Sequence, residues 1–176
     1  MLASVTWLPA QAQGETPLDR VFGLRPNLYT AYRDFAALFW ERRVLPPRIL
    51  ELCRLLVARL HGCQSELRLR YRPALDAGLR EAQVAALGSG DEAEFEPAER
   101  ACLRFAEMVV RDPHAIGDGD AAAVAAQLGE PGLVALAEAL AVFDGFCRFR
   151  ILLGVEPEAG PVRVVDAPKP GQASAW

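Results

Sequence analysis

The sequence predicts an all-α fold in a single domain. Three observations carry this. Apolar residues recur at helical spacing over most of the chain. No stretch alternates apolar and polar residues over a useful strand length. A length of 176 residues suits one domain with one sizeable core. At 52% hydrophobic and 24% charged, the composition is that of a folded chain rather than a disordered one.

Residues 1–25 carry Pro9, Gly14, Pro17 and Gly23 without periodicity, and are expected to form an arm or extended lead-in. Pro26-Asn27 then offers a helix start, with Asn27 as N-cap, for a helix over Leu28 to Val44. That helix carries two apolar stripes. One holds Leu28, Tyr32, Phe35 and Phe39, the other Tyr29, Ala36 and Trp40. One of the two faces is expected to meet the core and the other another subunit. Pro46-Pro47 ends it and starts the next helix, Arg48 to His61, which is apolar over most of its circumference and so predicted to be buried. Its one interrupted stripe runs Glu51, Arg54, Ala58, His61. Gly62 breaks it, and residues 63–77 are predicted as a third helix with Pro73 as a kink and Gly78 as the stop.

A short helix over Arg80 to Leu87 follows, then an acidic loop from Asp91 to Glu96. Pro97 at a first-turn position, with Glu99 close behind, opens a helix to Arg111. Asp118 or Asp120 caps an alanine-rich helix ending at Gly129. Pro131 starts the last long helix, Gly132 to Leu153. The tail, residues 156–176, has four prolines and no periodicity, and is expected to be flexible or to lie along a partner.

A net charge of −4 offers no reason to expect nucleic acid or an anionic membrane as partner. No run approaches the ~18 apolar residues of a membrane span. Ala10-Gln11-Ala12 faintly resembles a signal cleavage site, but no Lys or Arg precedes it. The four cysteines, Cys53, Cys63, Cys102 and Cys147, include no C-x-x-C pair. Reduced cysteines in a cytoplasmic protein are the expectation, with Cys53, Cys102 and Cys147 as core filler. No phosphate loop, dinucleotide fingerprint or metal-ligand cluster appears, so no cofactor and no metal is expected.

Four local patterns carry a resemblance. They are Trp40-Glu41 with Leu45-Pro46-Pro47-Arg48 and Glu51-Leu52; Val57 to Cys63; Ala77-Gly78-Leu79 with Phe95 to Arg100, Phe105-Ala106-Glu107 and Arg111-Asp112-Pro113; and Leu152 with Gly154-Val155-Glu156-Pro157. In this order they resemble the carboxymuconolactone decarboxylase and alkylhydroperoxidase superfamily, over residues 26–155 as the domain. The resemblance implies an alkylhydroperoxidase-like fold of about six to eight helices, assembled as a homo-oligomer: a trimer, hexamer or dimer. The alkylhydroperoxidase branch carries a Glu, a cysteine pair and a His. Laid on this sequence, Glu51 takes the Glu position and Cys63 the first Cys. Glu66 stands where the second Cys would be, and Arg70 where the His would be. The attacking thiol and the imidazole of that branch are both absent, so its dithiol cycle cannot run at these positions. The decarboxylase branch also lacks the cysteine pair, but there too Arg70 replaces a His.

On one helix, Cys63, Glu66 and Arg70 at i, i+3 and i+7 share a face. If the polar stripe of the preceding helix faces them, Glu51 joins a sheltered pocket with two carboxylates, a thiol and a guanidinium. Two carboxylates in different surroundings can serve as acid and base. Arg70 could grip a substrate carboxylate, with His61 as a further binding group. His61 could alternatively reach Cys63 across the turn at Gly62. Asp144, with Arg148 one turn on, is a further candidate for a paired buried acid.

The bland alternative is that Glu51 with Arg48 and Arg54, and Glu66 with Arg70, are ordinary surface ion pairs worth ~0.2–0.5 kcal/mol each. Three functions follow. The first is cofactor-free proton transfer or decarboxylation of a small organic acid, a lyase activity. The second is a thiol-dependent peroxidase, acting on a hydroperoxide, or a redox sensor, using Cys63 alone. The third is a non-catalytic oligomeric binding protein.

Overall fold

The computed structural model of the protein describes residues 17–41, 44–155 and 160–169. The rest of the expected arm (residues 1–16), residues 42–43, and residues 156–159 and 170–176 of the expected tail lie outside the described residues. Among the described residues the fold is all-α apart from one pair of three-residue strands.

The central element is α3, Pro47–His61. Pro46 holds the extended N-cap conformation and Pro47 takes the first turn, where its missing N–H costs nothing. Every residue from Ile49 to Ala58 is buried, as the near-continuous apolar circumference predicts. Around α3 pack α7, Pro97–Arg111, and α8, Asp118–Leu152, which also touch each other. Leu50, Leu52, Leu55, Leu136 and Leu140 form the fully covered centre of this three-helix core.

Several expected boundaries hold for the expected reason. Glu99 accepts a hydrogen bond from the Glu96 N–H at 2.9 Å, closing the first turn of α7 behind Pro97. α8 is interrupted at Gly129, whose φ of 74° and ψ of 166° only glycine adopts readily, two residues before Pro131. Arg48 donates to Glu99 and Glu96, both at 2.5 Å, so the motif around Pro47 and the motif around Pro97 meet in space.

Other expectations need correction. Residues 17–23, placed in the lead-in, form α1, Pro17–Gly23, whose Leu18 and Val21 are buried with Val155. The second helix, α2, is Pro26–Phe39, with Arg25 rather than Asn27 at the N-cap. It stops short of Val44, with Trp40 at the C-cap and its ring tilted against Tyr71, centroids 4.4 Å apart. Its apolar residues do not divide as the two expected stripes did: Phe39 is buried together with Ala36 and Trp40, whereas Leu28, Phe35 and Leu38 are exposed.

The largest departure lies in residues 63–77. They are not one kinked helix but α4, Gln64–Leu67, then β1, Leu69–Tyr71, then α5, Arg72–Asp76. β1 pairs in parallel with β2, Arg163–Val165. This part of the tail therefore lies along the chain's own body. A backbone that hydrogen-bonds laterally to β2 cannot continue the helical ladder, so Pro73 falls at the start of α5 instead of kinking a long helix. α6, Glu81–Ala86, completes the fold, its last carbonyls covered by the Arg59 guanidinium. No helix among the described residues is long and apolar enough to cross a membrane.

Candidate functional site

Glu51 and Arg54 lie one turn apart on α3 and are 0% and 3% exposed. The surface-pair alternative fails for them, because burial this deep demands full pairing. Arg54 donates from Nε and Nη2 to the two Glu51 oxygens, at 2.7 and 2.8 Å. Its Nη1 donates to the Glu66 carboxylate at 2.8 Å and to the Glu66 carbonyl at 3.0 Å. Nη2 also reaches the Leu69 carbonyl at 3.0 Å. All the N–H groups of this guanidinium are engaged. Glu51 accepts one further bond, from the Tyr71 N–H at 3.1 Å. The two carboxylates raise the Arg54 pKa against the opposing pull of burial, so it stays charged.

The second cation on Glu66 comes from the far end of the chain. Arg150 on α8 donates from Nη1 to Glu66 at 3.0 Å and lies over the Phe146 ring. Two carboxylates therefore face two guanidinium groups, and the buried cluster is charge-balanced. The expected meeting of Glu51 and Glu66 takes place, with Arg54 as the bridge.

Arg70 is not part of this cluster. α4 ends at Leu67, so the helical register that would align Arg70 with Cys63 and Glu66 is broken, and β1 carries Arg70 elsewhere. There it forks onto Glu81 at 2.8 and 3.0 Å and caps the Leu67 and Leu69 carbonyls. This ion pair holds the Glu81 carboxyl below its ordinary range. His61 is also elsewhere. Its Nε2 meets Asp144 at 2.5 Å, and Asp144 accepts a second bond from Arg148 at 2.8 Å. His61 therefore ties the end of α3 to α8. The expected Asp144–Arg148 pair is present, and burial of Asp144 is outweighed by its bonds to Arg148 and His61, which lower its pKa.

Cys63 follows Gly62, whose φ of 67° ends α3. The Cys63 N–H bonds back to the Ala58 carbonyl at 2.8 Å, and this holds the residue at the N-cap of α4. Its sulfur lies 3.4 Å from the Ser65 hydroxyl and shares a hydrogen bond with the thiol of Cys147 on α8. The Cys147 bond does most to lower the Cys63 pKa; Ser65 and the Glu66 N–H help, while burial and the Glu66 charge oppose. The same bond raises Cys147, and burial adds to it. Burial raises Cys53 as well, and pushes Cys102 up to about 12.

Beside the ion cluster is a cavity of about 20 Å³, walled by Tyr32, Trp40, Arg54, Glu66, Tyr71 and Cys147 among others. A single water needs roughly 10–15 Å³ on this measure. Burial, with the Glu66 charge, raises Tyr32 and Tyr71, so both phenols stay protonated. A larger surface hollow, about 160 Å³, lies between the α6–α7 loop and α7, and none of the expected site residues lines it. No group of three or more His, Cys, Asp or Glu among the described residues could hold a metal ion.

Sequence reasoning missed Arg150, Cys147, Tyr32 and Tyr71. Arg150 had a readable signal: with Phe143 and Cys147 it continues the apolar stripe of the last helix, where a charge needs a buried partner.

The family model for carboxymuconolactone decarboxylases matches residues 26–108. Those residues include α2 to α6, most of α7, and Glu51, Cys63 and Glu66. Over these residues the chain resembles the carboxymuconolactone decarboxylase family. Arg150 and Cys147 lie beyond the matched residues, on α8. No curated protein matches the chain.

Proposed function

We propose that this carboxymuconolactone decarboxylase-like protein carries out thiol redox chemistry on a small hydroperoxide, centred on Cys63. The observation that carries this reading is the surroundings of that thiol. Among the four cysteines, Cys63 alone has its ionised form favoured, by donors from Cys147, Ser65 and the Glu66 backbone. A thiolate is the form of cysteine that attacks peroxide. In the net reaction the O–O bond is cleaved, an alcohol and water are released, and an external thiol reductant returns the protein sulfur to its reduced state.

Decarboxylation of a small organic acid is less well supported. It needs a cation free to hold the substrate carboxylate, and Arg54, the guanidinium that lines the cavity, has none of its donors to spare. Arg70 points to Glu81. The cavity beside Glu66 accommodates a molecule of about the size of water, which suits the peroxide group far better than an organic acid. The test is hydrogen peroxide consumption by the purified protein with dithiothreitol as reductant. Consumption is expected in the parent protein and lost in Cys63→Ser. Equal rates in the two proteins would overturn the reading.

A further inference from the structure

The cavity beside the ion cluster has one wall that does not belong to the helical body. Tyr32, Arg54, Glu66, Tyr71 and Cys147 line it from α2, α3, α4, β1 and α8. Pro168 lines it from the tail, and is buried there. Pro168 follows β2 in a segment, residues 160–169, that is otherwise largely exposed. Val165 and Ala167 pack against the core, while Asp166 between them faces solvent. Val162 and Val164 are 51% and 47% exposed.

This segment is lightly held. Its backbone is attached through three-residue strands, Leu69 to Tyr71 against Arg163 to Val165. Two strands by themselves are marginally stable in water, and parallel pairing is slightly weaker per residue than antiparallel. The ion pair from Arg72 to Asp166, at 3.1 Å, joins side chains 57% and 80% exposed, and exposed pairs add little. The body is held differently, by the fully covered leucines of α3 and α8. A segment with few buried contacts opens at far lower free energy than such a core.

We propose that residues 160–169 are a detachable strap with Pro168 as its plug, and that a molecule larger than water reaches the cavity only when β2 leaves β1. With the strap in place the cavity, about 20 Å³, is close to the size of one water. Release takes Pro168 out of the wall and uncovers β1, where Tyr71 stands. Glu66 stays tied to Arg54 and Arg150, so the charged side of the cavity survives the opening. Pro168 thus sets the size of what the closed protein admits, and the strap decides when anything larger enters. Access through the strap is independent of the redox chemistry proposed for Cys63.

Cys147 reports the opening, because it lines the cavity and is 2% exposed with the strap in place. Cys53 and Cys102, both 0% exposed, report opening of the helical body. The reduced full-length protein is incubated with iodoacetamide, and alkylation of each cysteine is timed by peptide mass spectrometry. Arg163→Pro removes the bond from the Arg163 N–H to the Arg68 carbonyl, 2.7 Å long, at an exposed position. The Cys147 rate is expected to rise roughly five- to tenfold, as the loss of one backbone hydrogen bond implies, with Cys53 and Cys102 at their parent rates. In the parent, hydrogen exchange is expected to reach the Arg163 and Val165 amides well before those of Leu50 to Leu55. An unchanged Cys147 rate in Arg163→Pro overturns the proposal. So does equal acceleration at all three cysteines, which would mean that the whole body opens, or a strap that exchanges as slowly as α3.

Discussion

Replacing Arg54 with methionine removes a charge but keeps most of the side-chain volume, so the packing of α3 is little disturbed. The loss is electrostatic. Glu51, 0% exposed, is left with only the Tyr71 N–H, and Glu66 keeps only Arg150. Breaking a buried pair by removing one partner costs about 3–5 kcal/mol, because the other charge stays stranded. For a chain of this size that is a fall in Tm of roughly 6–20 °C. Urea unfolding of the parent and of Arg54→Met, followed by circular dichroism, measures the loss as a shifted midpoint at unchanged slope. A second variant separates the charge from the packing. Glu51→Gln removes the stranded carboxylate, so the double variant Glu51→Gln with Arg54→Met should recover a coupling of roughly 0.5–3 kcal/mol. A change below about 0.5 kcal/mol in Arg54→Met, the size of an ordinary surface substitution, would refute the buried-cluster argument.

Two further outcomes follow from single residues. Gly62→Ala places a side chain at a φ of 67° with no neighbour within 4 Å of the new carbon, so the cost is backbone strain alone, about 1–2 kcal/mol, read as a lower Tm by calorimetry. The folded Asp144 pKa lies below the ordinary 3.8, so its contribution to stability is fully present above that pH and is lost as pH falls through the folded value. Asp144→Asn should therefore flatten the acid limb of the stability–pH profile below about pH 4.

What local pattern could reveal, the sequence revealed. α3 is buried because its apolar residues surround the helix, and α7 starts at Pro97 because Glu99 can close its first turn. The polar stripe of α3 correctly brought Glu51 toward Glu66. The failures all involve partners far away in the chain. Helical spacing over residues 63–77 is sound as a local signal, but β1 answers to β2, more than ninety positions later, and that pairing turns Arg70 out of the site. The contact between Cys63 and Cys147 has the same origin. Neither residue's neighbours encode it, and only the packing of α8 on α3 creates it. The one distant partner that could have been read is Arg150, since a charge on an apolar stripe implies an opposite charge in the core.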